Sequence, residues 1–105
     1  MNRIIKMLTI ATAFAVVLSL SLPAHAQSAD LFKSKCAMCH GPDGTGSKAG
    51  KAMGAHDFTT ADVQKMSDAE LAEVITNGKG KMKPSTGLKP EDVKGLVAYI
   101  RTLKK

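Results

Sequence analysis

The sequence contains little aromatic bulk from which to build a core. Tryptophan is absent, and the 105 residues include one tyrosine and three phenylalanines. Phe14 lies in an apolar N-terminal segment, so Phe32, Phe58 and Tyr99 are the aromatics left for the rest of the chain. A domain this small is only marginally stable on apolar burial and usually carries an additional staple. The composition therefore predicts that something other than side chains fills part of the interior.

Cysteine is also scarce, so a disulfide framework would consist of one bridge at most. The two cysteines lie three residues apart, and a bridge across so short a loop would stabilise the fold little. They belong to the run Cys36-Ala37-Met38-Cys39-His40, which matches the attachment signature of c-type haem. On a helix, positions i, i+3 and i+4 share one face. Cys36 and Cys39 can therefore each form a thioether with a haem vinyl group, while His40 offers a ring nitrogen to the iron.

Two other kinds of site share the Cys-x-x-Cys spacing. A thiol–disulfide redox pair normally lies in a βαβ pattern, and no run of this sequence alternates like a β-strand. A structural zinc site normally needs a second Cys/His pair, and His56 is the one histidine downstream of the motif. Both remain alternatives to haem attachment, which is the interpretation we favour.

The N-terminus has the three parts of an export signal. A positively charged start is followed by 16 apolar or small residues without charge at 7–22, and Ala24-His25-Ala26 matches the small-x-small cleavage pattern. We therefore predict a cleaved signal at residues 1–26 and one domain at residues 27–105 that is periplasmic or otherwise exported. A retained anchor is the alternative, although the run is shorter than the roughly 20 residues of a spanning helix.

Basic residues exceed acidic ones in the predicted mature domain. Arg3 and Lys6 leave with the signal, so 13 of the 15 basic residues remain against nine acidic residues, a net charge of +4. Two haem propionates would lower this value further. A mildly basic surface does not require nucleic acid, and it suits docking against acidic protein surfaces.

The attachment motif lies on a predicted helix near the start of the domain. Ser28 or Asp30 can cap this helix, and Gly41-Pro42 ends it because proline disfavours helical geometry in the residue before it. The segment 41–54, rich in glycine, lysine and serine, is predicted to be a loop without a core of its own. A short helical turn is predicted at 57–63.

Two further helices are predicted in the second half of the chain. Ser67 and Glu70 form the capping pattern of the first, which ends at Asn77-Gly78. The last begins at Pro90, and Gly95 within it suggests a close approach to Ser28 and Ala29 of the first helix. The apolar stripe of this last helix consists of Val93, Leu96, Val97, Ile100 and Leu103.

The second axial ligand decides whether the iron transfers electrons or binds small molecules. Met38 lies inside the motif on the side of His40, and Met66 has a packing role before the capped helix. Met53 is possible but follows the motif closely. Met82 lies in a polar, glycine-containing loop without an apolar stripe, so core packing does not explain it. We predict Met82 as the second ligand.

His56 is the alternative second ligand. A His/His pair would lower the reduction potential of the iron, whereas a His/Met pair raises it. His56 stands beside Asp57 in a loop, where a hydrogen-bonded histidine without a ligand role is common. Contact with a haem propionate is a further alternative role for His56.

Three lysines flank the predicted methionine ligand. Lys79, Lys81 and Lys83 occupy alternate positions around Met82. We predict that they form a positive rim at the exposed haem edge and attract acidic surfaces of redox partner proteins. The alternative is a solvated loop whose charges serve solubility.

These features resemble the class I c-type cytochromes, the small mono-haem bacterial electron carriers. The resemblance implies an all-α, cytochrome c-like fold of three to four helices around one covalently bound haem c, with the N- and C-terminal helices crossing. It also implies His40 and Met82 as axial ligands, and a hydrogen bond from the His40 ring to the Pro42 carbonyl. The resemblance extends over nearly the whole domain and is carried by Asp30-Leu31-Phe32, residues 36–46, Ser67-Asp68-Ala69-Glu70-Leu71, Ile75-Thr76-Asn77-Gly78, Met82 and Leu96-Val97-Ala98-Tyr99-Ile100-Arg101.

One-electron transfer is the function that these features predict. The predicted cofactor-binding residues are Cys36, Cys39, His40 and Met82, with His40 and Met82 on the iron. We expect an exported, soluble and monomeric carrier between respiratory redox partners, without substrate turnover and without membrane insertion after signal removal. The alternatives are a haem enzyme or gas sensor with an open iron site, a thiol–disulfide oxidoreductase, and a docking module of a larger oxidase.

Overall fold

The computed structural model describes residues 24–105, which contain helices and no extended strand. The predicted all-α fold is therefore confirmed. None of the helices in this part of the chain is long and apolar enough to cross a membrane. The helices are α1 (Ala24–Lys35), α2 (Ala37–His40), α3 (Lys48–Ala52), α4 (Ala61–Gln64), α5 (Asp68–Asn77) and α6 (Pro90–Thr102).

The first helix starts earlier than predicted and is interrupted within the motif. The chain is already helical at Ala24, the first described residue, whereas the sequence favoured a start at Ser28 or Asp30. Cys36, with φ −118°, separates α1 from the single turn of α2. The Cys36 N–H still donates to the Phe32 carbonyl at 2.8 Å, so the two helices form one kinked unit. The predicted signal lies almost wholly outside the described residues, and cleavage after Ala26 remains a prediction.

The crossing of α1 and α6 forms the centre of the fold. The ring centroids of Phe32 and Tyr99 lie 5.0 Å apart at this crossing. A Cβ atom on Gly95 would overlap the Ser28 hydroxyl, so the two helices approach each other closely at this glycine. The predicted contact between Gly95 and the first helix is thereby confirmed. In the described part of the chain, the buried apolar side chains are Phe32, Val63, Leu71, Ile75, Leu96, Val97 and Ile100.

Helix α5 begins and ends where its sequence signals predict. The Ser67 hydroxyl accepts a hydrogen bond from the Glu70 N–H at 3.1 Å and donates to the Glu70 carboxylate at 3.2 Å. Gly78, with φ +75°, ends the helix in a conformation that favours glycine. Leu71 and Ile75 are the buried residues of this helix, and they face the core.

Arg101 joins α6 to the connection between α4 and α5. Its guanidinium donates to the Gln64 carbonyl at 2.9 Å and to the Met66 carbonyl, and it pairs with the exposed Asp68 carboxylate at 2.9 Å. The exposed ion pair contributes little by itself, but the two carbonyl contacts satisfy backbone acceptors. The Gln64 amide in turn donates to the carbonyl of Phe58 at 2.7 Å, which ties this connection to the loop before α4.

The prediction of a structureless loop at 41–54 was wrong in part. Residues Lys48–Ala52 form α3, and the Ser47 hydroxyl caps it by accepting from the Gly50 N–H at 3.0 Å. The sequence hides this helix because its glycine and lysine residues leave no apolar stripe. Gly50 is buried, so the segment packs against the rest of the domain.

Candidate functional site

Three of the four predicted cofactor-binding residues line one apolar cavity. Cys36 and His40 reach it from the α1–α2 unit, and Met82 reaches it from the loop after α5. Cys39 is half-buried on α2 and is not among the lining residues. The remaining walls are formed by Phe32, Phe58, Ile75, Ser85, Leu96 and Ile100.

The other candidate ligands lie away from this cavity. Met38 has 85% of its surface exposed and Met53 has 48% exposed, while Met66 packs against the core. His56 is exposed and does not line the cavity. Within residues 24–105, Met82 is therefore the one methionine that shares a cavity with His40.

The His40 ring is held against an aromatic neighbour. Its centroid lies 4.4 Å from that of Phe58, with an angle of 26° between the rings. Burial lowers the pKa of the His40 imidazole below its ordinary value, and the charge of His56 acts in the same direction. The ring is consequently neutral at neutral pH, which is the form that binds a metal.

The expected hydrogen bond between His40 and Pro42 is not formed. Among the described residues, the buried Nδ1 atom of His40 has no hydrogen-bond partner. The ring is instead oriented by the Phe58 stack and by the backbone of α2. A buried ring nitrogen without a partner is costly in an apolar pocket.

No disulfide joins Cys36 and Cys39. Burial raises the pKa of the Cys36 thiol, although the positive charge of Lys35 opposes this effect. A raised pKa disfavours the reactive thiolate that a thiol–disulfide oxidoreductase needs. The environment of Cys36 therefore suits a sulfur that is packed against an apolar group.

Backbone hydrogen bonds fix the loop that carries Met82. Lys79 and Met82 exchange two backbone hydrogen bonds of 3.0 Å each across a two-residue turn. Gly80 opens this turn at φ +58°, a conformation that favours glycine. The Ser85 N–H then donates to the Ile75 carbonyl at 3.0 Å and returns the chain to α5. The turn thus presents Met82 to the cavity from a fixed backbone.

Gly78 holds this turn close to the end of α5. A Cβ atom there would overlap the Met82 carbonyl oxygen and would lie 2.9 Å from the Pro84 nitrogen. The positive φ of Gly78 adds a second reason for glycine. The side chains of Lys79 and Lys81 in this turn, and of Lys83 just after it, are exposed.

Sequence reasoning missed two residues of the site. Phe58 was assigned no role in the site, although the scarcity of aromatics makes each of them a candidate wall of the cavity. Gly50 was placed in a loop, yet a Cβ atom there would overlap the Cys39 carbonyl oxygen and lie 2.6 Å from its carbon. No local pattern in the sequence points to that contact, because it joins two different helices.

The donor set and the apolar character of the walls suit a haem c. Cys36 supplies a sulfur, His40 a neutral imidazole and Met82 a thioether, and all three face one cavity with apolar walls. Soft sulfur and imidazole donors suit haem iron, and an apolar surround suits a porphyrin.

Comparisons with known proteins identify relatives that are c-type cytochromes or subunits of a cytochrome c oxidase. Residues 23–100 match the family described as "Cytochrome C oxidase, cbb3-type, subunit III". The cbb3-type cytochrome c oxidase subunit FixP of Azorhizobium caulinodans is 34% identical over 84 residues, which cover 77% of this chain and 28% of that protein. The chain thus spans little more than a quarter of the length of this relative.

Solved structures agree in both sequence and shape. The KustC0563 c-type cytochrome is 38% identical and superposes with a TM-score of 0.70, covering 74% of this chain and 98% of its own. A point mutant of that cytochrome is 39% identical with a TM-score of 0.67, covering 73% and 98% of the two chains. These similarities extend over most of the described residues.

Proposed function

This chain belongs to the c-type cytochromes, within the family described as cytochrome c oxidase, cbb3-type, subunit III, and we propose that it carries single electrons through a haem c held by Cys36, Cys39, His40 and Met82. The two sulfurs of the motif form the covalent attachment. His40 and Met82 would hold the iron, through a ring nitrogen and a thioether sulfur. When bound, the haem supplies the ferric/ferrous couple that accepts and releases the electron.

One observation carries this proposal. His40 and Met82 are far apart in the sequence and come from separate elements, yet both line the cavity that Cys36 borders. The chain's residues would have three tasks there: the cysteines would retain the cofactor, His40 and Met82 would bind its iron, and the apolar walls would exclude water. A site that offers the iron two protein ligands would suit a carrier without substrate turnover.

The Met82→Ala variant tests the second ligand. We expect the matured wild type to show the weak absorption band at the red edge that marks Fe–S(Met) ligation. The variant should lose that band and become high-spin in the ferric state, because no other methionine lines the cavity among the described residues. Ferric and ferrous absorption spectra of periplasmically matured protein are the measurement.

Two matched controls accompany this test. Met53→Ala removes an exposed methionine outside the cavity and should leave the spectrum unchanged. His56→Ala removes the alternative ligand and should also be silent, because His56 is exposed and is not part of the cavity walls. Retention of the band in Met82→Ala, or its loss in either control, would contradict the assignment of Met82.

The partners are redox proteins whose acidic surfaces dock against Lys79, Lys81 and Lys83 of this chain. These exposed lysines share the turn that carries Met82, so their charge lies close to the site. Positive charge there raises encounter rates with anionic partners at low ionic strength. The carrier acts in the periplasm or another exported compartment, as a monomer.

Charge reversal tests this docking surface. We expect the Lys79→Glu, Lys81→Glu, Lys83→Glu variant to be oxidised by ferricyanide at least about tenfold more slowly at low salt, because steering by local charge contributes factors of 10 to 10³. The two rates should converge at high salt. The control reverses three other exposed lysines, Lys65, Lys89 and Lys94, and changes the net charge equally. Equal slowing in both variants would show that net charge alone acts and would reject the local surface.

A second candidate function is delivery of electrons within an oxidase. Both the matching family and the Azorhizobium relative carry the name of an oxidase subunit. The same cofactor-binding residues and the same one-electron step serve either role. Stable co-purification of the native chain with a membrane oxidase would favour the subunit role, whereas recovery in the periplasmic fraction would favour the mobile carrier.

A further inference from the structure

Helix α2 is too short to satisfy its own backbone. It contains four residues, and a single helical turn does not persist without outside support. Only the Ala37 carbonyl is bonded locally, by the Gly41 N–H at 2.8 Å. The carbonyls of Met38, Cys39 and His40 accept no hydrogen bond from within the helix, as is usual for the last carbonyls of any helix.

The segment after the motif supplies the missing donors. The Gly46 N–H donates to the His40 carbonyl at 2.7 Å. The Ser47 N–H donates to the Cys39 carbonyl at 3.0 Å. The Ser47 hydroxyl lies 2.6 Å from the Met38 carbonyl and 3.1 Å from the Cys39 carbonyl, and it donates its proton to this pair. Every carbonyl of α2 is thereby satisfied.

The same hydroxyl also starts the next helix. Its oxygen accepts from the Gly50 N–H at 3.0 Å and so caps α3. Gly50 then lies directly against the Cys39 backbone, at a distance that leaves no room for a Cβ atom. Ser47 therefore connects the end of α2 to the start of α3 with one donated and one accepted hydrogen bond.

We propose that the Ser47 hydroxyl is a positioning group for the haem site, which fixes the α2 turn that bears Cys39 and His40 by bonding the Met38 and Cys39 carbonyls. The inference rests on the proposed function, because it concerns the orientation of the proximal ligand. The Nδ1 atom of His40 has no hydrogen-bond partner among the described residues, so no hydrogen bond to Nδ1 orients that ring. The orientation of His40 must then be set through its backbone and its stack on Phe58.

Three substitutions separate the two roles of Ser47. Ser47→Ala removes both the donated and the accepted hydrogen bond. Ser47→Asp keeps an acceptor that can cap α3, but its carboxylate cannot donate to the two carbonyls of α2 and repels them. Ser47→Thr keeps the hydroxyl and both roles. If Ser47 merely caps α3, the aspartate variant behaves like wild type; if it positions α2, the aspartate variant behaves like the alanine variant.

Ser67→Ala is the matched control. Ser67 is also a capping serine, and its hydroxyl also accepts an N–H bond three residues on, but it caps α5 and lies outside the motif and its supporting segment. The variant reproduces the loss of a cap without disturbing α2. A readout that changes in Ser47→Ala and Ser47→Asp but not in Ser67→Ala therefore reports on positioning and not on general stability.

Two readouts on the matured holoproteins complete the experiment. Amide hydrogen exchange in the ferrous state should be at least about tenfold faster at His40 and Gly41 in Ser47→Ala and Ser47→Asp, and unchanged in Ser47→Thr and Ser67→Ala. The reduction potential and the ferric low-spin EPR g values, which report on axial-ligand orientation, should shift in the same two variants alone. If those two fail to retain covalent haem while Ser47→Thr and Ser67→Ala retain it, the inference is also supported.

The contrary outcomes are distinct. A haem-bearing wild type whose Ser47→Asp variant matches wild type, or whose Ser47→Ala variant matches Ser67→Ala, overturns this inference and leaves the proposed function standing. The inference is also overturned if Ser47→Thr changes hydrogen exchange, the reduction potential or haem retention as much as Ser47→Ala does, because the hydroxyl would then not be the deciding group. A wild type without covalent haem overturns the proposed function and this inference with it.

Discussion

The Cys36→Ala, Cys39→Ala double variant should contain no covalently attached haem and should lose most of its stability. Cys36 and Cys39 are the two cysteines of the sequence, so in the variant no other cysteine can form a thioether with the haem. The loss should exceed about 3 kcal/mol, by analogy with the 2–5 kcal/mol that a small domain loses with a native cross-link. Acid–acetone extraction and intact-mass measurement report the attachment, and thermal unfolding followed by circular dichroism reports the stability.

The physical reason is the size of the core. In the described part of the chain, seven apolar side chains are buried, and two of them, Phe32 and Leu96, are the largest that are fully enclosed. Four of the seven also line the cavity, so a porphyrin there would extend the core that they form. A domain of this length depends on such added apolar contact for a stable fold.

Controls for the double variant come from the same motif. Met38→Leu changes a residue between the two cysteines, but Met38 is 85% exposed and should tolerate the change with full haem attachment. Each single cysteine variant should keep one thioether and show an intermediate stability. Haem that stays with the double variant through acid–acetone extraction would contradict the assignment of both cysteines.

The Gly50→Ala variant should be strongly destabilised. A Cβ atom at this position would overlap the Cys39 carbonyl oxygen and would lie 2.6 Å from the carbonyl carbon and 3.0 Å from the Cα atom. These are backbone atoms of the attachment motif, which cannot rotate away as a flexible side chain would. We expect a loss of about 3 kcal/mol or more in the free energy of unfolding, and a lower yield of mature holoprotein.

Gly54→Ala separates this steric effect from backbone strain. Gly54 has φ +85° but nothing within 4 Å of an added Cβ atom, whereas Gly50 has no positive φ and no space. Strain alone should cost about 1–2 kcal/mol at Gly54. Denaturant unfolding of the two holoproteins gives both values. If Gly54→Ala destabilises the protein as much as Gly50→Ala, the close packing of α3 on α2 does not have the importance that we assign to it.

Local signals predicted the parts of the fold that depend on neighbouring residues. Ser67 caps α5, Gly78 ends it, and Pro90 starts α6, because caps and turns are decided within a few residues. The approach of Gly95 to the first helix was also predicted, since a glycine is unfavourable inside a helix unless a neighbouring element needs the space. Family membership and the covalent haem c follow from the motif and are confirmed by the comparisons.

Contacts between distant segments could not be predicted from local sequence signals. Helix α3 was missed because its residues have no apolar stripe and are stabilised by contact with Cys39. The interruption of α1 at Cys36 was missed because helical periodicity continues across it. The hydrogen bond expected between His40 and Pro42 is not formed, and the stack of His40 on Phe58 was not foreseen.

The sequence by itself determined the chemistry of attachment, because the motif places two sulfurs and an imidazole within five consecutive residues. Only the tertiary structure decided which methionine reaches the same cavity as that histidine. Met82 does so because a turn with paired hydrogen bonds is held against the end of α5, while Met53 and Met38 remain exposed. Which methionine reaches the cavity depends on how α1, α5 and α6 pack together, and that packing cannot be read from a short stretch of sequence.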